Sequence, residues 1–163
     1  MKVIGIDPGL AVTGYGVIEK KEEDYYVLDY GYIDTPASWN TPRRLSAIFN
    51  NVLLLLNEFS PEAAAVEKLF FCKNIRTALQ VGEARGAVLT ALSERELTVY
   101  EYTPLQVKQA VVGYGKAEKK QVQKMVALLL QMQELPEPDD AADALAVALC
   151  YLQSHWWQQW IKS

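Results

Sequence analysis

Two rhythms of apolar and polar positions alternate along the chain. Residues 2–7, roughly 13–20 and roughly 25–34 are short runs rich in β-branched and aromatic residues, and their tight connections predict an antiparallel meander. The stretch TPRRLSAIFNNVLLLLNEF (41–59) has helical apolar spacing, with Thr41 expected as N-cap and Pro42 at the first helical position. AAAVEKLF (63–70) is a short apolar run and is expected as a central strand. A long helix is expected over 74–96, capped by Asn74, then a fifth strand over 97–102. Helices are expected over about 103–112, 117–133 and 139–160. Hairpin-linked strands followed by strand–helix crossovers give an α/β fold: a mixed five-stranded sheet with helices on its faces.

Composition narrows the class. The chain has 163 residues, half of them hydrophobic, so a single domain over 1–163 with a sizeable core is expected. No uncharged apolar stretch reaches the ~18 residues of a membrane span. No basic region followed by an apolar stretch opens the chain, so a cytoplasmic protein is expected. Cys72 and Cys150 stand far apart, outside any metal-ligand spacing, and read as reduced structural thiols. The net charge of −4 argues against a protein that binds nucleic acid indiscriminately, but not against a local basic surface.

A few acids change the picture. Asp7 ends the first strand, at the edge where open α/β sheets place ligands, although an Asp before Pro-Gly is also an ordinary turn residue. Glu67 interrupts the apolar run at 63–70 and shares a face with Ala63, Ala65 and Leu69. A charge there is costly unless it is paired, bound to metal, or exposed at the strand's end. Asp139 or Asp140 can serve as a cap for the last helix. Asp143 lies inside an Ala/Leu/Val segment that is apolar all round, and Asp140 and Asp143, three apart, share a face. No Lys or Arg occurs between 125 and 161 to neutralise them. Buried carboxylates without cations repel one another, and divalent metal is the usual remedy; all-oxygen sites suit Mg²⁺ or Mn²⁺.

Positive charge is concentrated elsewhere. Lys108, Lys116, Lys119, Lys120 and Lys124 fall within KQAVVGYGKAEKKQVQK, against the single acid Glu118. Such a run is commonly a solvated helix face, but the Gly-Tyr-Gly break at 113–115 and the Lys119-Lys120 helix start favour phosphate contact. Phe70 and Phe71 lie between Lys68, Lys73 and Arg76, an interleaving that can stack on unpaired bases, though paired Phe residues are commonly core. The single histidine, His155, reads as a surface residue, and no activated nucleophile is evident.

The segments IDPGLAVTGYGVIE, VEKLFFCKN, ALQVGEARG, QVKQAVVGYGKAEKKQV and DDAADALAVAL, in that order, resemble the signature segments of the RuvC family of bacterial Holliday-junction resolvases. The resemblance covers Met1 to about Leu152. It implies an RNase H-like fold, a homodimer, and a metal site of Asp7, Glu67, Asp140 and Asp143, with Asp139 an extra acid beside it. It further implies two Mg²⁺ per subunit, replaceable by Mn²⁺, and paired symmetrical nicks in four-way DNA junctions that leave 5′-phosphate and 3′-hydroxyl ends. Lys108 and Lys119 match basic positions at the family's active site, and Phe70 the residue at the junction centre. Lys73, Lys116, Lys120 and Lys124 are expected to touch DNA, and the RuvA–RuvB branch-migration complex is an expected partner. An actin- or sugar-kinase-like ATPase would need a second lobe and a second phosphate loop. A non-catalytic junction binder would not need to keep four carboxylates near phosphate. Another nuclease of the same fold, such as an RNase H, is the remaining rival.

Overall fold

The computed structural model describes residues 1–68 and 74–162, with side chains to residue 155. Among these residues the elements are β1 (Lys2–Asp7), β2 (Val12–Lys21), β3 (Asp24–Asp34), α1 (Thr41–Phe59), β4 (Ala63–Glu67), α2 (Ile75–Glu94), β5 (Val99–Tyr102), α3 (Pro104–Val112), α4 (Lys119–Leu129) and α5 (Asp139–Lys162). The sheet order is β3-β2-β1-β4-β5. β1, β2 and β3 pair antiparallel, whereas β1–β4 and β4–β5 pair parallel, which is the expected meander followed by crossovers.

Alternation along the strands feeds two cores. Val3, Ile18, Ala63 and Ala65 face Leu145, Val147 and Leu149 of α5, backed by Val107 of α3 and Val122 and Val126 of α4. Ile4, Ile6, Val17, Ala64 and Val66 face Ile48 and Val52 of α1 and Val88 and Leu92 of α2. The central strands are thus covered on both faces, which explains their unbroken apolar character.

Several boundaries differ from expectation. Asn40, not Thr41, caps α1: its side chain accepts from the Arg43 backbone N–H, and Pro42 follows in the first turn. β4 ends at Glu67, and Leu69 to Lys73 lie outside the described residues. β5 begins at Val99 rather than 97, and α4 covers Lys119–Leu129 rather than 117–133. Asn74 caps α2 as expected, accepting from the Arg76 and Thr77 backbone. Gly113, at φ 78°, ends α3 in the left-handed region, so the first glycine of the Gly-Tyr-Gly break serves the α3–α4 turn. His155 is half-buried, stacked on Tyr151 with ring centroids 5.1 Å apart, rather than a plain surface residue. Cys150 is a buried free thiol, its pKa pushed up to about 11 by burial. No helix among the described residues is long and apolar enough to cross a membrane.

Candidate active site

Strand register brings the first two acids together. β1 and β4 run parallel with Ile6 opposite Val66, so the residues that follow, Asp7 and Glu67, end neighbouring strands side by side. Both lie on the sheet face that carries α5, because Gly5 and Val3 precede Asp7, and Ala65 and Ala63 precede Glu67, at period two. Asp7 is also opposite Gly14 in the β1–β2 ladder.

The last helix reaches this edge because two glycines let it lie directly on the backbone. A Cβ at Gly14 would overlap the Asp140 carbonyl, and one at Gly5 would overlap the Ala144 carbonyl and stand 2.8 Å from the Ala148 nitrogen. With no side chain between them at these two positions, the first turns of α5 rest on β1 and β2. Asp140 and Asp143, both half-buried, therefore come close enough to raise the pKa of Asp7.

The electrostatics express that crowding. Asp7 is pushed up to about 9, by burial first and then by repulsion from Glu67, to which it hydrogen-bonds, and from Asp143 and Asp140. Glu67 is also raised by burial, while the Asp7 hydrogen bond, Lys119 and Lys108 pull the other way. Asp143 is raised by burial against the downward pull of Lys119.

The sequence left these carboxylates without a cation, and this is corrected by α4. Lys119 Nζ lies 2.9 Å from Asp143 Oδ2 and 3.2 Å from Asp139 Oδ2. Burial works against the Lys119 charge, but Asp143 and Asp139 outweigh it and raise its pKa. Gln123 Nε2 donates to Asp139 Oδ1 at 2.7 Å. The hydrogen bond from Gln123, then Lys119, lowers the Asp139 pKa. Asp139 is thus exposed and held by Lys119 and Gln123, whereas Asp140, whose backbone carbonyl lies over Gly14, is the neighbour whose charge acts on Asp7. Sequence reading missed Gln123; a polar residue on the buried face of α4, one turn after Lys119, was the available signal.

A cavity of about 190 Å³ opens beside the acids. Glu67, Asp143, Lys108 and Lys119 line it over an apolar floor that includes Val107 and Val122. The structure therefore gathers Glu67, Asp143 and both lysines in one cavity, with Asp7 joined through Glu67. Lys116, Lys120 and Lys124 are exposed on the loop before α4 and on α4. Phe70 and Lys73 lie outside the described residues, with Phe71 and Cys72.

Among the described residues, no group of three or more His, Cys, Asp or Glu side chains is arranged to hold a metal ion as it stands. Glu67 and Asp7 hydrogen-bond each other, and Asp143 is paired to Lys119. The donor set still fits a hard divalent cation. It is all carboxylate, and burial and mutual repulsion hold a proton on Asp7 that a cation can displace.

The chain is similar to known proteins over nearly its whole length. The family model described as crossover junction endodeoxyribonuclease RuvC matches residues 3–151. The crossover junction endodeoxyribonuclease RuvC of Halothermothrix orenii is 52% identical over 155 residues, covering 95% of this chain and 94% of that protein. That of Alkaliphilus metalliredigens is 49% identical over 162 residues, covering 99% of each. The structure of T. thermophilus RuvC in complex with Holliday junction substrate superposes with a TM-score of 0.92 at 40% identity, covering 97% of this chain and 96% of that one. With its five-stranded RNase H-like sheet and its carboxylate edge, the chain belongs to the RuvC family of crossover junction endodeoxyribonucleases, a family of metal-dependent nucleases.

Proposed function

We propose that this protein resolves four-way DNA junctions in recombination and repair by paired symmetrical nicks, each leaving a 5′-phosphate and a 3′-hydroxyl. The observation that carries the proposal is the meeting of Asp7, Glu67 and Asp143 with Lys119 and Lys108 at one sheet edge, in a chain of this family.

Asp7, Glu67, Asp140 and Asp143 would hold two Mg²⁺ per subunit, replaceable by Mn²⁺, which when bound would lower the pKa of a water and stabilise the leaving 3′ oxygen. Lys119 and Lys108 offset the negative charge that grows on the scissile phosphate. Phe70 stacks on a base at the junction centre, and Lys73, Lys116, Lys120 and Lys124 touch backbone phosphates.

The chain acts as a single nuclease domain over 1–163, in the cytoplasm, as a homodimer. An isologous pair presents two identical sites to a two-fold symmetric junction, which accounts for paired nicks. The RuvA–RuvB complex is the proposed partner that delivers the junction.

The test is incubation with Mg²⁺ and a mobile four-way junction, beside a linear duplex and an RNA–DNA hybrid. Symmetrical nicks in the junction alone are expected. Degradation of the hybrid's RNA strand with the junction left intact would replace the proposal with an RNase H activity.

A further inference from the structure

Two helices present matched pairs at the rim of the cavity. α4 carries Lys119 and Gln123 one turn apart, and α5 carries Asp139 and Asp143 at the same spacing. Lys119 is shared between Asp143 at 2.9 Å and Asp139 at 3.2 Å. The other oxygen of Asp139 is fixed by Gln123 at 2.7 Å, and Gln123 is itself only 8% exposed. We infer that Asp139, braced by Gln123, is the positioning residue that keeps Lys119 at the catalytic cavity. The inference rests on the proposed action of Lys119 at the scissile phosphate.

A lysine has four rotatable bonds and is strongly hydrated, so a single partner holds it loosely. Its partner Asp143 belongs to the crowded acid set, where a bound cation would compete for the same oxygens. Asp139 does not share that conflict. Its carboxylate is exposed, with one oxygen on Lys119 and the other on Gln123. It can keep the ammonium in place while Asp143 turns inward. A purely structural role explains less, because α4 is already anchored beside α5 by Val122, Val126 and Leu130 in the core.

The experiment compares wild type, Asp139→Ala, Lys119→Gln and the double variant. It measures single-turnover cleavage of a four-way junction at enzyme excess, junction affinity with Ca²⁺ in place of Mg²⁺, and Mn²⁺ affinity of the DNA-free protein by calorimetry. Asp139→Ala is expected to cleave roughly two- to five-fold more slowly, as suits an exposed ion pair. Junction and Mn²⁺ affinities should be unchanged, and Asp139→Ala should add no loss to Lys119→Gln. An equal loss in the Lys119→Gln background would show that Asp139 acts independently of the lysine. Weakened Mn²⁺ binding in Asp139→Ala would make it a metal ligand instead, and either result overturns the inference. A wild-type rate for Asp139→Ala beside a slow Lys119→Gln sinks the inference alone. A wild-type rate for Lys119→Gln removes the role of the lysine itself, and the inference falls with it.

Discussion

Gly14→Ala tests whether the spacing between α5 and the sheet is what assembles the acids. The added methyl would occupy the place of the Asp140 carbonyl, with the Ala141 nitrogen 3.1 Å away. These are backbone atoms of a helix whose next turns are buried, so no side chain can swing aside. Reaching an ordinary carbon–oxygen contact requires α5 to retreat by roughly 1.3–1.6 Å at its first turn. Overpacking of this kind costs about 1–3 kcal/mol. For a chain of this size each kcal/mol moves the melting temperature by roughly 2–4 °C, so the variant should still fold at room temperature. The retreat also carries Asp140 away from Asp7, and a displacement of ~1 Å at reacting groups can cost on the order of 100-fold in rate. Single-turnover cleavage of a four-way junction should therefore fall on the order of 100-fold, while junction affinity stays near wild type. Gly31→Ala is the control, because its methyl meets only the far end of the Tyr15 ring, 3.0 Å from the hydroxyl, and not the backbone of α5. Equal cleavage by Gly14→Ala and wild type, with only the melting temperature lowered, would refute the reasoning.

Further outcomes follow from the same geometry. Asp7→Asn, Glu67→Gln, Asp140→Asn and Asp143→Asn should each abolish cleavage yet bind junctions as tightly as wild type or more so, since a negative charge near phosphate is lost; an active Asp140→Asn beside an inactive Asp139→Asn would reassign the ligand. In chelator, Asp7 keeps its proton in the folded protein up to about 9 but loses it near 4 when unfolded. Folding therefore takes up a proton between those values, and wild-type stability falls as pH rises through them. Asp7→Asn has no such linkage, so calorimetry should show it gaining on wild type from pH about 4 to about 9, and parallel melting curves would contradict the buried acid. Gln at Lys108 or Lys119 should slow cleavage at saturating DNA, whereas Gln at Lys116, Lys120 or Lys124 should weaken binding and flatten its salt dependence. Affinity changes alone in all five variants would make the run a simple electrostatic patch.

The elements of this protein were legible in the chain because their causes are local. β-Branched runs, helical apolar spacing, and caps such as Asn74 act over a few residues, and they predicted all ten elements of the described residues, several with shifted ends. The ends moved where a neighbour decided them: Asn40 took the cap expected of Thr41, and β5 lost its first two residues. The acids were legible as anomalies, since Glu67 and Asp143 each interrupt an apolar pattern. Their company was not. Lys119 is remote in sequence from Asp7 and Glu67, and only the packing of α4 against α5 places its ammonium on Asp143 and Asp139. Asp139 and Asp140 are adjacent and chemically identical, yet successive helix positions point about 100° apart. One accepts from Gln123 and Lys119, and the charge of the other acts on Asp7. Sequence determines which groups are available and which of them are costly to bury. Which ones meet depends on long-range register, here Ile6 opposite Val66 and α5 resting on Gly5 and Gly14, and those contacts exist only once the sheet has formed.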